Sequence, residues 1–370
     1  MRDDIKIAVI HDWLVTYAGA ERLLEQVLAV FPDADLFSLV DFLPPDKRFF
    51  IKNKPVRTSF LQHFPLARTK YRSYLPFMPV AIESLDVFGY DLVISVSHAV
   101  AKGVRTAPGQ KHICICCSPI RYAWDLRQQY LEESGLDKGI KGLLANFMLD
   151  RVKAWDLAVT PRVTHFAAIS EYIGRRIKNN YGRDYSVLYP PVYVEQFEPV
   201  EKRENFYLTA SRMVPYKKIP LIAEAFSAMP GKELVIIGDG PEFSKVRGKA
   251  GPNVKLLGYQ DSNVLRDYLQ RAKAFVFAAE EDFGIAPLEA QACGTPVIAY
   301  GAGAVRETII EGKTGLYFES QTVEAIVDAV GRLESLEKSF DVREIRKNAE
   351  RFSSERFRRE LKKLVSEVMV

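Results

Sequence analysis

The chain has 370 residues, 48% of them hydrophobic, which is more than one core comfortably holds and suits two domains of ordinary size. With 51 Lys and Arg against 47 Asp and Glu, the formal net charge is only +4, so no global basic field marks nucleic acid as a partner. No apolar run is long enough to span a bilayer, and the first residues enter a short apolar stretch rather than a secretory leader, so the expected location is the cytoplasm.

Ile5–Ile10 reads as a strand, followed by a polar loop containing Gly19 and by helical spacing over Ala20–Val30, with Leu23, Leu24, Val27 and Leu28 apolar. Strand patterns recur at Asp91–Val96, Lys111–Cys117 and Val163–Ile169 with helical stretches between them, the alternation of a parallel α/β sheet. Cys114, Cys116 and Cys117 fall in the Lys111–Cys117 strand, and their spacing fits reduced core thiols rather than a zinc site. Pro190 and Pro191 forbid helix and mark a hinge. Alternation then resumes at Phe206–Ala210, Glu233–Ile237, Val254–Leu257 and Ala274–Ala278, giving a second α/β domain. In the tail, Phe357, Leu361, Leu364 and Val368 have helical spacing and predict an amphipathic helix docked back on the first domain. The expected division is 1–192, 193–351 and 352–370.

The segment with the most chemical content is Ala279–Ala290, which leaves one strand and enters a helix. Pro287 suits the first helical turn, so the backbone N–H groups around Gly284, Ile285 and Ala286 would lie at the positive end of the helix, where a diphosphate binds. Glu281 before this turn and Glu289 within the helix would bracket one ligand, accepting hydrogen bonds from sugar hydroxyls. Upstream, Arg212 and Lys217 follow the Phe206–Ala210 strand and bring positive charge to a strand's C-terminal end, where ligands of such sheets bind. Taken singly, each of these groups also fits an ordinary solvated surface. Gly238-Asp239-Gly240 lacks the third glycine of a dinucleotide fingerprint, because Phe243 stands there, and reads as a tight turn. Asp33-Ala34-Asp35 lacks the surroundings of a metal-binding carboxylate pair.

Glu281 and Glu289, with Arg212 and Lys217 upstream, resemble the signature of glycosyltransferase family 4. The loop Ala18-Gly19-Ala20-Glu21, the turn Gly238–Pro241, Gly294-Thr295-Pro296-Val297 and Glu311–Gly315 extend the resemblance over nearly the whole chain. Within that family, Asp12-Trp13, Ser97–Gly103, Arg121-Tyr122-Ala123-Trp124-Asp125 and Val214–Lys217 are similar to the branch of bacterial O-antigen and exopolysaccharide mannosyltransferases. The resemblance implies the GT-B fold, two facing Rossmann-like domains with a cleft between them, and retaining transfer of a hexose without an essential metal or other cofactor. It implies GDP-mannose as donor, with a UDP-hexose as the alternative, and a lipid-linked bacterial surface glycan as acceptor. By position, Arg212 and Lys217 would hold the diphosphate, Glu289 the ribose and Glu281 the transferred hexose, while backbone at Gly19 and Phe283–Ile285 would complete the donor pocket. His98, Lys102, Cys117 and Arg121 are the candidates on the acceptor or hexose side. Cys117 departs from the pattern, because relatives carry a His there and a thiol is a weaker hydrogen-bond partner.

Between Lys47 and Ile82 there are eight Lys or Arg and no Asp or Glu, interleaved with Phe49, Phe50, Phe60, Phe64, Tyr71, Tyr74 and Phe77. This segment reads either as a contact with the anionic inner face of a membrane or as a solvated basic face whose aromatics are core. Ile140–Trp155 either adds to that patch or is a buried helix. Two further functional readings stay open: a sugar-nucleotide epimerase on the same architecture, and a binding or scaffold protein that has lost activity.

Overall fold

A computed structural model describes residues 5–124, 127–133, 138–336 and 339–370. Asp125, the last residue of the Arg121–Asp125 motif, lies outside them. The chain divides into two compact units, Met1–Pro190 with Phe357–Val370, and Pro191–Arg356. The division falls between the two prolines, and the last residues of the C-terminal helix, Ser354–Val368, group with the first unit.

The first unit carries seven parallel strands: β1 (Ile7–His11), β2 (Asp35–Ser38), β3 (Val56–Thr58), β4 (Leu92–Ser97), β5 (Lys111–Cys116), β6 (His165–Ala168) and β7 (Tyr185–Val187), in the order β3-β2-β1-β4-β5-β6-β7. β1 and β4 are buried along their whole length, which is why they read as unbroken apolar runs. The second unit has six parallel strands: β8 (Phe206–Ala210), β9 (Glu233–Ile237), β10 (Val254–Gly258), β11 (Ala274–Phe277), β12 (Val297–Tyr300) and β13 (Gly315–Phe318), in the order β10-β9-β8-β11-β12-β13. Each sheet is packed on its own core, around Met78, Ile82, Val93 and Val152 in the first unit and Tyr207, Phe226, Ile236 and Val330 in the second.

In both sheets the strand order reverses once, between β1 and β4 and between β8 and β11. Loops leaving the C-terminal ends of strands on either side of such a point run in opposite directions and open a crevice. The loops at these two reversals hold most of the residues singled out above.

The helix Gly139–Ala158 resolves the two readings of Ile140–Trp155 in an unexpected way. Gly142, Leu149, Val152 and Asp156 are buried, whereas Ile140, Leu143, Leu144 and Phe147 are exposed, so the helix is apolar on both faces. Among the described residues no helix is long and apolar enough to cross a membrane.

Candidate active site at the strand reversals

In the second unit β8 ends at Ala210 and β11 at Phe277, and the loops that follow hold the expected charged groups. Lys217 Nζ and Glu281 Oε1 form an ion pair, both half-buried, and the ammonium stands 5.4 Å from the centre of the Tyr216 ring and 5.7 Å from that of Phe277. Arg212 is exposed, and among the described residues no hydrogen bond or ion pair engages its guanidinium. The helix Ile285–Ala292 starts after Gly284, whose φ of 85° is the left-handed region that suits glycine. Phe283 is buried, Ile285 and Ala286 are partly open, and Glu289 is buried inside the helix. The structure therefore brings Arg212, Lys217, Glu281 and the Gly284–Ile285 helix start to one end of one sheet.

Two neighbouring turns hold this arrangement. Met213 N–H donates to Asp239 O at 2.8 Å and Glu242 N–H to Met213 O at 3.0 Å, tying the Ser211–Lys217 loop to the turn after β9. The turn needs its glycine, because a Cβ on Gly238, at φ 133°, would lie 1.9 Å from Ser211 O. Behind Glu281, Ala304 N–H donates to its carbonyl at 3.0 Å and a Cβ on Gly303 would come within 2.6 Å of the same oxygen. Gly303 was not singled out from sequence; the signal available was the small-residue run Gly301-Ala302-Gly303 directly after β12.

At the reversal in the first unit the charges are spent differently. Asp12, fully buried, accepts four backbone N–H bonds across the β4 loop: from His98 at 2.7 Å, Ala99 at 3.0 Å, Val100 at 2.6 Å and Ala101 at 2.7 Å. His98 Nδ1 lies 3.0 Å from the same carboxylate, and its ring meets Trp13 edge-on at 4.6 Å. Burial holds the His98 pKa below the ordinary imidazole value, against the pull of Asp12. Cys117, half-buried, follows the Ser97–Cys116 pairing of β4 and β5 and donates its N–H to Ser97 O at 2.8 Å.

Gly19 is exposed at the start of the Gly19–Val30 helix. The preceding Ala18 N–H donates to Glu21 Oε2 at 2.9 Å, while Glu21 Oε1 lies 3.3 Å from His11 Nε2. Burial acts to raise the Glu21 pKa, but the His11 hydrogen bond and nearby imidazoles outweigh it and hold the carboxyl below its ordinary value. Arg121 is partly exposed. Lys102 is placed elsewhere than a ligand-facing group requires: it is 2% exposed, paired with Asp156, and stacked 5.0 Å from the Tyr181 ring. Asp156 also accepts from Trp124 Nε1 at 2.9 Å and Tyr181 OH at 2.7 Å, so Lys102 belongs to a buried polar network of the core.

In the basic segment, Phe50 is buried, and Phe64, Tyr71 and Tyr74 pack on the core, whereas Phe49, Phe60 and Phe77 are exposed. Arg48 is taken by Asp41 and Arg57 lies 3.5 Å from Asp35, while Arg68, Lys70 and Arg72 project to solvent. The segment is neither wholly core nor wholly surface.

Residues 194–352 match the family described as Glycosyl transferases group 1. The chain is 32% identical over 189 residues to the GDP-mannose-dependent monoacylated alpha-(1-6)-phosphatidylinositol monomannoside mannosyltransferase of Corynebacterium glutamicum, covering 43% of this chain and 49% of the relative. It is 30% identical over 200 residues to the GDP-mannose-dependent alpha-(1-6)-phosphatidylinositol monomannoside mannosyltransferase of Mycolicibacterium smegmatis, covering 45% and 51%. These alignments span about half the length of the curated relatives. Among solved structures, Anabaena Alr3699/HepE in complex with UDP-glucose superposes with a TM-score of 0.69 over 98% of this chain and 99% of that one, at 16% identity. Sucrose-phosphate synthase from Thermosynechococcus elongatus does so with a TM-score of 0.70 over 99% of both chains, at 18% identity. The fold is accordingly α/β, the GT-B pairing of two Rossmann-like domains, and its second domain matches the group 1 glycosyl transferases over residues 194–352.

Proposed function

We propose that this chain is a retaining glycosyltransferase that moves a hexose, mannose from GDP-mannose, onto a lipid-linked bacterial surface glycan without an essential metal. The observation that carries the reading is the grouping of Arg212, the Lys217–Glu281 pair and the Gly284–Ile285 helix start at the β8/β11 reversal. As the bond from the sugar to the diphosphate breaks, negative charge develops on the leaving phosphate. Two cations and the N–H groups of a helix start are suited to stabilise it. Glu281, beside Lys217, accepts hydrogen bonds from hexose hydroxyls, and Glu289, one turn into the helix, from the ribose. The names of the two mannosyltransferase relatives support the choice of donor, and the resemblance to family 4 supports retention.

On the first unit, His98, Cys117 and Arg121 are the acceptor-side or hexose-side groups of this reading. Arg68, Lys70 and Arg72 supply a basic face for the inner side of an anionic membrane, consistent with a lipid-linked acceptor and a peripheral location.

Thermal unfolding of the protein and its Glu289→Ala variant against GDP, UDP, ADP, GDP-mannose and UDP-hexoses, with EDTA present, tests the donor. A ligand at a hundred times its dissociation constant stabilises the folded state by about 2.7 kcal/mol. GDP and GDP-mannose should raise the midpoint, and Glu289→Ala should weaken the shift. A response to UDP alone moves the donor to a UDP-hexose. Conversion of a sugar nucleotide without acceptor indicates an epimerase, and silence from folded protein indicates a non-catalytic binding role.

A further inference from the structure

We propose that the helix Gly139–Ala158 is a lipid-contacting element whose outer stripe seats in the apolar boundary of an anionic membrane. Ile140, Leu143, Leu144 and Phe147 are 86%, 75%, 56% and 55% exposed. Their spacing of three and four residues places them on one side of the helix, opposite the buried Gly142, Leu149, Val152 and Asp156. A single exposed leucine is ordinary, but four adjacent large apolar side chains on one face mark a contact surface.

The charges around the stripe select its occupant. Lys138, Lys141 and Arg151 are exposed beside it, and Arg151 lies 5.9 Å from the Phe147 ring. The only carboxylate between residues 138 and 155 is Asp150, which is engaged by Arg127. The helix also touches the Tyr71–Phe77 segment, whose surroundings expose Leu66, Phe77 and Val80 together with Arg68, Lys70 and Arg72. Apolar residues framed by cations complement anionic headgroups over an acyl boundary. A second copy of the same face would set these cations against one another.

The helix has twenty residues and extends about 30 Å. Its C-terminal half is fixed to the core through the Asp156 network and through Trp155 Nε1, which donates to Glu83 at 2.9 Å. The apolar stripe lies in the N-terminal half.

This inference deepens the lipid-linked acceptor reading and rests on different residues from the donor site; its apolar stripe lies outside the basic 47–82 segment, which only adjoins it. Flotation of the full chain with vesicles of phosphatidylcholine alone, or of equal parts phosphatidylcholine and phosphatidylglycerol, tests it. Two variants are compared: Leu143→Glu with Phe147→Glu, and Arg68→Glu with Lys70→Glu and Arg72→Glu. The full chain should float with the anionic vesicles, and the apolar-stripe variant should lose binding by about tenfold or more, since each buried methylene counts in such partitioning. Its melting midpoint and its nucleotide response should remain unchanged, so failure of the donor reading is visible separately. Absence of vesicle binding, or loss only in the basic variant, overturns the proposal. So does a lipid-free dimer in light scattering that the stripe variant dissociates, which would assign the face to a second copy.

Discussion

The two strand reversals use charge in opposite ways. At β1/β4 the carboxylate of Asp12 fills the crevice from within, taking the N–H groups of His98 through Ala101. At β8/β11 the same kind of crevice is ringed by Arg212, Lys217 and the start of a helix, and the carboxylate of Glu281 is held there by a lysine side chain rather than by backbone. A backbone amide cannot turn away from its partner, whereas a lysine can share its three donors with an incoming anion. The first reversal is closed by the chain's own anion, whereas on the proposed reading the second takes one supplied by a ligand.

Breaking the first reversal should have the largest effect. Asp12→Ala leaves four N–H groups without their acceptor, three of them buried, at about 1–3 kcal/mol for each buried one left unsatisfied. Urea unfolding followed by Trp13 fluorescence should therefore show the first unit destabilised by roughly 4 kcal/mol or more, with Asp12→Asn recovering part. Lys217→Met and Glu281→Gln should instead spare stability and lower the transfer rate by about 10²–10³, the loss typical of one group that stabilises developing charge. If either variant unfolds the second unit, the pair is structural and the contrast collapses.

A third test uses the histidines, all five of which lie in the first unit. Burial pushes the His112 pKa down to about 4, with its Nε2 2.8 Å from Ser95 Oγ. The unfolded chain therefore takes up the proton first, so stability is full above about pH 6.5 and falls as the pH drops toward 4, by roughly 3 kcal/mol at most. Circular dichroism melts across that range should show the first unit weakening selectively and His112→Asn flattening the slope. The smallest effect is expected from Cys117→His, which exchanges a weak hydrogen-bond partner for a stronger one and should raise kcat/KM about two- to tenfold in a transfer assay.

The central strands were legible because each is a short apolar run bounded by polar turns: β8 and β9 fall on the predicted residues, β1, β4 and β11 differ by one or two, and the edge strand β10 differs by one. The strands that escaped are three or four residues long. β3 (Val-Arg-Thr) and β7 (Tyr-Ser-Val) lie at sheet edges and are only partly buried, so they carry no apolar run to read. Arg212, Lys217 and Glu281 were legible because they directly follow buried strands. Lys102 was not, because its partner Asp156 is 54 residues away and spacing does not reveal whether a lysine turns inward. The Gly139–Ala158 helix was ambiguous for a related reason: apolar residues on both faces erase the periodicity that separates inside from outside.

The Asp12 clamp also bears on the order in which the first unit assembles. Its four bonds join residues 86 to 89 positions apart, and such distant contacts carry a large loop-closure cost until other structure has drawn the ends together. If β1 and β4 pair before the carboxylate meets the amides, the clamp forms after the rate-limiting step of folding. Removing it should leave the refolding rate of the first unit nearly unchanged and shorten the lifetime of the native state, so that Asp12 acts as a latch on unfolding.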